Sequence, residues 1–336
     1  MTGSNHPLAH LSREALEALV HEAARAPSVH NVQPARWRFE PGGDVILFRA
    51  LDRRLPVADP TGHDVDVSLG AAFEGMAIAL SRLGLALGAP APERRAQAEG
   101  CEPVVRARVS AGGTLDPLAP HVLERRSYRG RFSRRGAREL ASARLMEASD
   151  VHVIDDAADI RLSSRSHDAA TWRFESRPEY HAELWSWLRL SRRDPRYRRD
   201  GLNADCLALS TPERLGAMVL LYPIVFRLLG HLRIARHLVS EAGQVRSAIA
   251  LVLFMPRRTD SAFDVGRRFY RLWLEITAAG LHAAPMSASV DDPTTRGQYE
   301  PLVPADRRLA NVLRVGHAPV GAAAESYRLP TAELLV

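Results

Sequence analysis

From residue 13 to residue 25 the apolar side chains Leu16, Leu19, Val20, Ala23 and Ala24 share one helical face, with Ser12 placed as N-cap and Leu11 placed to staple against Leu16. Short alternating stretches follow at Trp37–Phe39 and Asp44–Leu51, joined through Pro41-Gly42-Gly43, which predicts a hairpin. A second helix is expected from Val67 to Leu83, with Leu69, Phe73, Met76, Ala77 and Leu80 on one face and Gly84 as the residue that ends it. Val104–Val109 reads as a strand.

Further along, a helix over 135–147 and a strand at Val151–Ile154 are expected, then a largely helical region from Asp159 to Leu190 and an irregular charged segment, Arg192–Gly201. Residues 215–232 are strongly apolar, but Pro223, Arg227 and a length below the ~20 residues of a membrane span point to a buried or covering helix pair. Ala248–Met255 has the uninterrupted apolar pattern of a buried strand. Asp264–Ala279 is a helix carrying Phe269, Leu272, Trp273 and Ile276, and Leu309–Val315 is a closing strand.

Two of these helices repeat. Placing Gly266 on Gly70 puts Phe269 on Phe73, Leu272 on Met76, Ile276 on Leu80 and Gly280 on Gly84, an ungapped match at an offset of 196 residues. An offset that long means two copies of one domain rather than a solenoid. The expected division is 1–121 and 122–336, and 336 residues suits two domains.

Composition alters this picture in one respect. The 45 basic residues are all arginine, with a net charge of +6, so lysine chemistry is excluded and planar two-point recognition of phosphate is favoured. Cys101 and Cys206 lack metal or redox spacing, and nothing resembles a signal peptide, so a cytoplasmic protein is expected. The hydrolase, zinc-protease, P-loop and dinucleotide fingerprints are absent. His63, Asp64 and Asp66 have a spacing common by chance, and no metal is expected.

Three stretches carry candidate chemistry: Pro27-Ser28-Val29-His30-Asn31-Val32-Gln33-Pro34, Arg125-Arg126-Ser127-Tyr128-Arg129, and Gly280 to Ser287 with the tail Ser326-Tyr327-Arg328-Leu329-Pro330. In the first, prolines restrain a loop rich in hydroxyl and amide groups, as a platform for a flat polar ligand or as an ordinary helix-to-strand connection. His30 is expected to be satisfied by backbone rather than to act as an acid. The arginine stretch alone could be a solvated basic face or a nucleic-acid contact, but no nucleic-acid motif accompanies it.

Together these stretches resemble the nitroreductase superfamily, and most closely its fused, single-chain, Acg-like form. The resemblance implies an α+β fold in which two tandem copies imitate a homodimer, with one FMN site per chain. It implies that Arg125, Ser127, Arg129 and Arg328 hold the FMN phosphate and ribityl chain. Pro27, Ser28, Asn31 and Gln33 would meet the ring and ribityl from the other copy, and Pro285, Met286 and Ser287 would lie near the flavin N5. Three departures stand out: Ala35 replaces a common aromatic, Ser326 replaces a common cation, and an extra residue before Phe132 lets Arg131 compete with Arg129. Arg177-Pro178-Glu179-Tyr180 is read as the second copy's replacement for the Pro27 loop, without its Asn and Gln.

The implied activity is transfer of electrons from NAD(P)H through FMN to a small organic acceptor, with no catalytic side chain and neither nucleic acid nor membrane as partner. Residues 185–245, including Tyr197, Tyr222 and Phe226, are the expected lid. The alternative is a protein that sequesters FMN beneath that lid without turnover.

Overall fold

The computed structural model describes residues 6–133, 150–322 and 327–336. The expected helix over 135–147 and Ser326 lie outside the described residues. Helix α1 (Arg13–Ala23) begins where Ser12 Oγ accepts from the Ala15 amide, and strands β1 (Ala35–Phe39) and β2 (Asp44–Ala50) pair antiparallel as the pattern predicts. Helix α2 (His63–Ser81) follows. Then come β3 (Leu85–Leu87), β4 (Ala91–Pro92) and β5 (Cys101–Ala111), giving a sheet ordered β1-β2-β5-β3 with β4 also on β5.

The second sheet repeats the scheme. It contains β6 (Val151–Ile154), and its next strand comes only after α3 (Ala157–Glu175), α4 (Pro178–Trp187), β7 (Leu188–Arg189), β8 (Leu202–Asn203), α5 (Thr211–Leu220) and α6 (Pro223–His231). That next strand is β9 (Ala250–Phe254), buried at all five residues, followed by α7 (Ala262–Ala278), β10 (His282–Pro285) and β11 (Asn311–Gly316). The order is β6-β9-β11-β10, antiparallel throughout. In each sheet the long helix leaves the second strand of this order and leads to an edge strand, with the last strand returning between them. Gly84 and Gly280 end the two helices at φ 68° and 76°, a conformation glycine adopts without steric cost.

α2 and α7 cross in the middle of the molecule. A Cβ on Gly70 would lie 1.9 Å from the Phe263 carbonyl oxygen, and one on Gly266 would lie 1.9 Å from that of Val67. Phe263 and Val67 are themselves related by the 196-residue offset, so the contact is reciprocal, as in a two-fold interface. Glu74, buried at this crossing, accepts from Arg267 Nε at 2.9 Å and Arg271 Nη1 at 3.0 Å.

The expected single apolar face of α2 proves too narrow. The helix is buried on nearly every side, because the first sheet, α1 and α7 all pack against it.

The tail crosses between the halves. Trp37 donates its amide to Leu334 and accepts from Val336, so residues 334–336 extend the free edge of β1. Residues 327–336 therefore pack on the first sheet although they follow the second in sequence. Topology also corrects one expectation. Arg177–Tyr180 comes after β6, the strand in the place of β1, and opens α4; a counterpart of the Pro27 loop belongs before β6.

Candidate functional site

The loop between α1 and β1 is held in an unusual shape. His30, Asn31 and Gln33 have φ of 45°, 55° and 54°, left-handed values that are common only for glycine and, less so, asparagine. Backbone of this kind costs on the order of 1–3 kcal/mol per residue and persists only where neighbours over-determine it. Here Ser28 Oγ accepts from the Gln33 amide at 3.1 Å, and Ser68 Oγ of α2 accepts from the Val29 amide at 3.2 Å. Asn31 Nδ2 donates to the carbonyls of Gly201 and Tyr327, both at 3.2 Å. Gln33 is buried, donating to the Arg199 carbonyl at 2.7 Å and accepting from the Leu329 amide at 2.8 Å. These amides clasp the 199–201 segment and the tail to the loop.

Arginines meet the loop from the other side. Ser127 bridges to Ala283 and the Tyr128 amide donates to the Ala283 carbonyl, so the Arg125–Arg129 segment runs along the edge of β10. Arg125 is 4% exposed, with its guanidinium 4.9 Å from the Trp273 ring and its Nη2 donating to the Arg25 carbonyl. Its Nε and Nη1 have no hydrogen-bond acceptor among the described residues. Burial lowers its pKa to about 10. Arg328 is lowered to about 9 by burial and then by the neighbouring Arg125 and Arg25, while its Nε donates to the Ala24 carbonyl at 2.5 Å. Buried cations are normally paired, so the two open nitrogens of Arg125 mark a place where an anionic group would be stabilised.

A cavity of about 290 Å3 opens over this cluster. It is lined by nine of the expected residues: Pro27, Ser28, Asn31, Arg125, Ser127, Arg129, Pro285, Ser287 and Arg328. Gln33 is not among the lining residues, since its amide faces the clasp. Met286 is also set back, wholly buried, and its amide donates to the Val312 carbonyl at 2.7 Å. Ser287, which opens a short helix, does line the cavity. Arg129, not Arg131, lines the cavity: Arg314 holds the backbone there by donating to the carbonyls of Arg129 and Gly130 at 2.7 and 3.0 Å, and the Arg131 guanidinium lies against Gly243.

Other lining residues had little or no signal in the sequence. His30 was expected to be satisfied by backbone, yet its Nδ1 has no partner among the described residues; burial, then Arg129, pushes its pKa down to about 4 and keeps it neutral. Glu241 and His167 line the wall, with His167 Nε2 3.0 Å from Glu241 Oε2 and its Nδ1 2.9 Å from the buried Ser289 Oγ. The neighbours His167, Arg314 and Arg129 hold the Glu241 carboxyl down at about 2. At the far end Asp64 and Asp291 face the same space and an adjoining cavity of about 220 Å3. Burial, then Asp59, raises Asp64 to about 6, and burial, then Asp64 and more weakly Asp59, raises Asp291 to about 7. The space is thus cationic at one end and acidic at the other.

Of the arginines at 189–199 all but Arg189 and Arg199 are exposed, and most pair with carboxylates. Arg189 is buried and bonded to Asp200, which also accepts from Arg53; Arg192, Arg196 and Arg199 pair with Asp205, Asp194 and Glu333.

No protein-family model matches the chain. An uncharacterized protein of Mycobacterium tuberculosis H37Rv is 29% identical over 310 residues, covering 88% of this chain and 85% of that protein. A second protein of that organism, named "Putative NAD(P)H nitroreductase", is 39% identical over 71 residues, 21% of this chain and 20% of its own length. A solved nitroreductase with bound FMN from Bacteroides fragilis superposes with a TM-score of 0.36 and 12% identity over 64% of this chain and 95% of that one.

Proposed function

We propose that the chain is a tandemly duplicated, nitroreductase-type FMN oxidoreductase that passes electrons from NAD(P)H to a small organic acceptor. The observation that carries the reading is Arg125, buried at a cavity wall with two guanidinium nitrogens lacking acceptors, beside Ser127, Arg129 and Arg328. A phosphate there would accept from an open Arg125 nitrogen, and the desolvated charge would regain part of what burial removed. The duplication is supported by the identical strand orders and the reciprocal glycine crossing.

In this reading Arg125, Arg129, Arg328 and Ser127 bind the phosphate end, the Pro27–Asn31 loop packs beside the ribityl and ring, and Ser287 lies near the ring. FMN, when bound, supplies the redox chemistry. The strained loop and the 199–201 segment over it limit the entry of water. A visible spectrum of the purified chain, followed by anaerobic addition of NADH or NADPH, tests the assignment. Flavin absorbance that bleaches supports it, and a chain that retains no FMN when reconstituted overturns it.

A second reading, FMN sequestration without turnover, is favoured by one feature: the Asn31 and Gln33 amides fasten the 199–201 segment to the loop. Bound flavin that stays oxidised under NADH and NADPH selects it.

A further inference from the structure

Half of the large apolar side chains that the described residues expose sit in one short stretch. Of sixteen such residues, eight fall between 215 and 238: Leu215, Val219, Tyr222, Ile224, Leu228, Leu232, Ile234 and Leu238, from 36% to 66% exposed. They follow helical spacing, with Leu215 and Val219 on α5, Ile224 and Leu228 on α6, and Leu232 one turn beyond. The opposite side packs inward. Phe226 is buried, its ring stacked on His181 at 3.8 Å, and His181 Nε2 lies 2.9 Å from the Leu221 carbonyl. The outward stripe is therefore not a core face that lost its register.

The polar residues interleaved with it are mostly cationic. Between 211 and 238 Arg214, Arg227, Arg233 and Arg236 face one acidic residue, Glu213, and Arg227, Arg233 and Arg236 are exposed. An amphipathic helical surface that combines exposed Leu, Ile and Tyr with arginines has the composition of elements that lie in a bilayer interface. Among the described residues no single helix is long and apolar enough to cross a membrane, and α5 and α6 are bent by 81° at their junction. That geometry suits lying on a surface better than crossing one.

We propose that residues 211–238 dock the protein on an anionic lipid surface, the apolar stripe entering the headgroup boundary and the arginines meeting lipid phosphates. Charge decides the occupant. A second copy packed on this face would gather the four arginines of each chain into one interface against a single glutamate per chain, whereas an anionic bilayer complements them. The surface belongs to the stretch that also reaches the cavity: Asn31 bonds Gly201, and Tyr180 and Cys206 line the wall. Docking therefore brings the covering segment and the cavity it borders to the membrane boundary. The inference is independent of which cofactor the cavity holds, and it reverses the expectation that no membrane is involved.

Flotation of the full chain with phosphatidylcholine vesicles and with phosphatidylcholine–phosphatidylglycerol vesicles tests it. Binding is expected only to the anionic vesicles and should weaken with salt. The exposed-site variant Leu228→Ser/Leu232→Ser should abolish flotation while its circular dichroism and melting remain those of the parent. Arg227→Gln/Arg233→Gln should weaken binding by about fivefold for each arginine removed. Absence of binding to the anionic vesicles by the folded chain overturns the proposal. So does concentration-dependent dimerisation in solution that Leu228→Ser abolishes, which would give the face to a second copy.

Discussion

Gly70 and Gly266 each lie against the backbone carbonyl of the residue three places before the other, so neither helix can gain a side chain at the crossing without moving its partner. Gly70→Ala and Gly266→Ala should each cost about 3 kcal/mol or more, since a backbone carbonyl, unlike a flexible side chain, cannot step aside. Denaturant melts should show similar losses for the two variants. Near-neutral effects would mean that the helices slide apart freely, and the close crossing would then not be what aligns the two halves.

Arg125→Met separates binding from folding. The unbranched side chain keeps much of the packing on Trp273 and removes a buried charge, so thermal stability without ligand should be unchanged or raised. Retention of added FMN should fall by roughly 10- to 100-fold, the worth of charge-assisted hydrogen bonds to a phosphate. Fluorescence titration with FMN reads this directly, and unaltered affinity would remove Arg125 from the phosphate site.

Gln33→Ala tests the clasp. The side chain is buried and joins the Arg199 carbonyl to the Leu329 amide, so its loss should destabilise the chain by about 1–3 kcal/mol and leave that carbonyl and amide unpaired. Faster limited proteolysis within 192–201 is the expected signature. Parent-like resistance together with weakened FMN retention would instead place the amide on the ligand.

Asp64 and Asp291 set a pH dependence. Their carboxyls are raised above the ordinary range, to about 6 and about 7, so the folded chain holds protons that the unfolded chain has released. The associated stability is fully present below the ordinary carboxylate pKa and is lost as pH rises through those values. Asp291→Asn should flatten the decline between roughly pH 4 and pH 7. Melting temperatures measured across that range for parent and variant decide it, and parallel curves would count against a raised Asp291.

In the opposite sense, Asp292 is held down at about 2 by its bond to Arg173, then by the Thr295 amide and hydroxyl. Its contribution is present above the ordinary carboxylate pKa and is lost as pH falls toward 2. Asp292→Asn should therefore cost about 2 kcal/mol at neutral pH and little in strong acid. A loss that persists unchanged in strong acid would show that packing, not charge, is what the residue contributes.

Local pattern was enough for most elements: the Ser12 cap, the hairpin at Pro41–Gly43, the apolar strand at 250–254 and the two glycine-bounded helices each follow from spacing and turn chemistry that act over a few residues. The matching strings that begin at Gly70 and Gly266 were legible for the same reason. What spacing could not carry was contact across hundreds of residues. β10 escaped notice since His282–Pro285 is short and has no alternating pattern of its own; pairing with β11 makes it a strand. The acidic end of the cavity joins the start of α2 to the helix after β10, and Glu241 reaches His167 across 74 positions, so neither group exists in any local window. Asn31 and Gln33 were legible as residues that must be held in place. That they hold the 199–201 segment and the tail, rather than standing free in the cavity, was decided by where tertiary packing puts those carbonyls and amides, since buried polar groups take whichever partners the fold brings within reach.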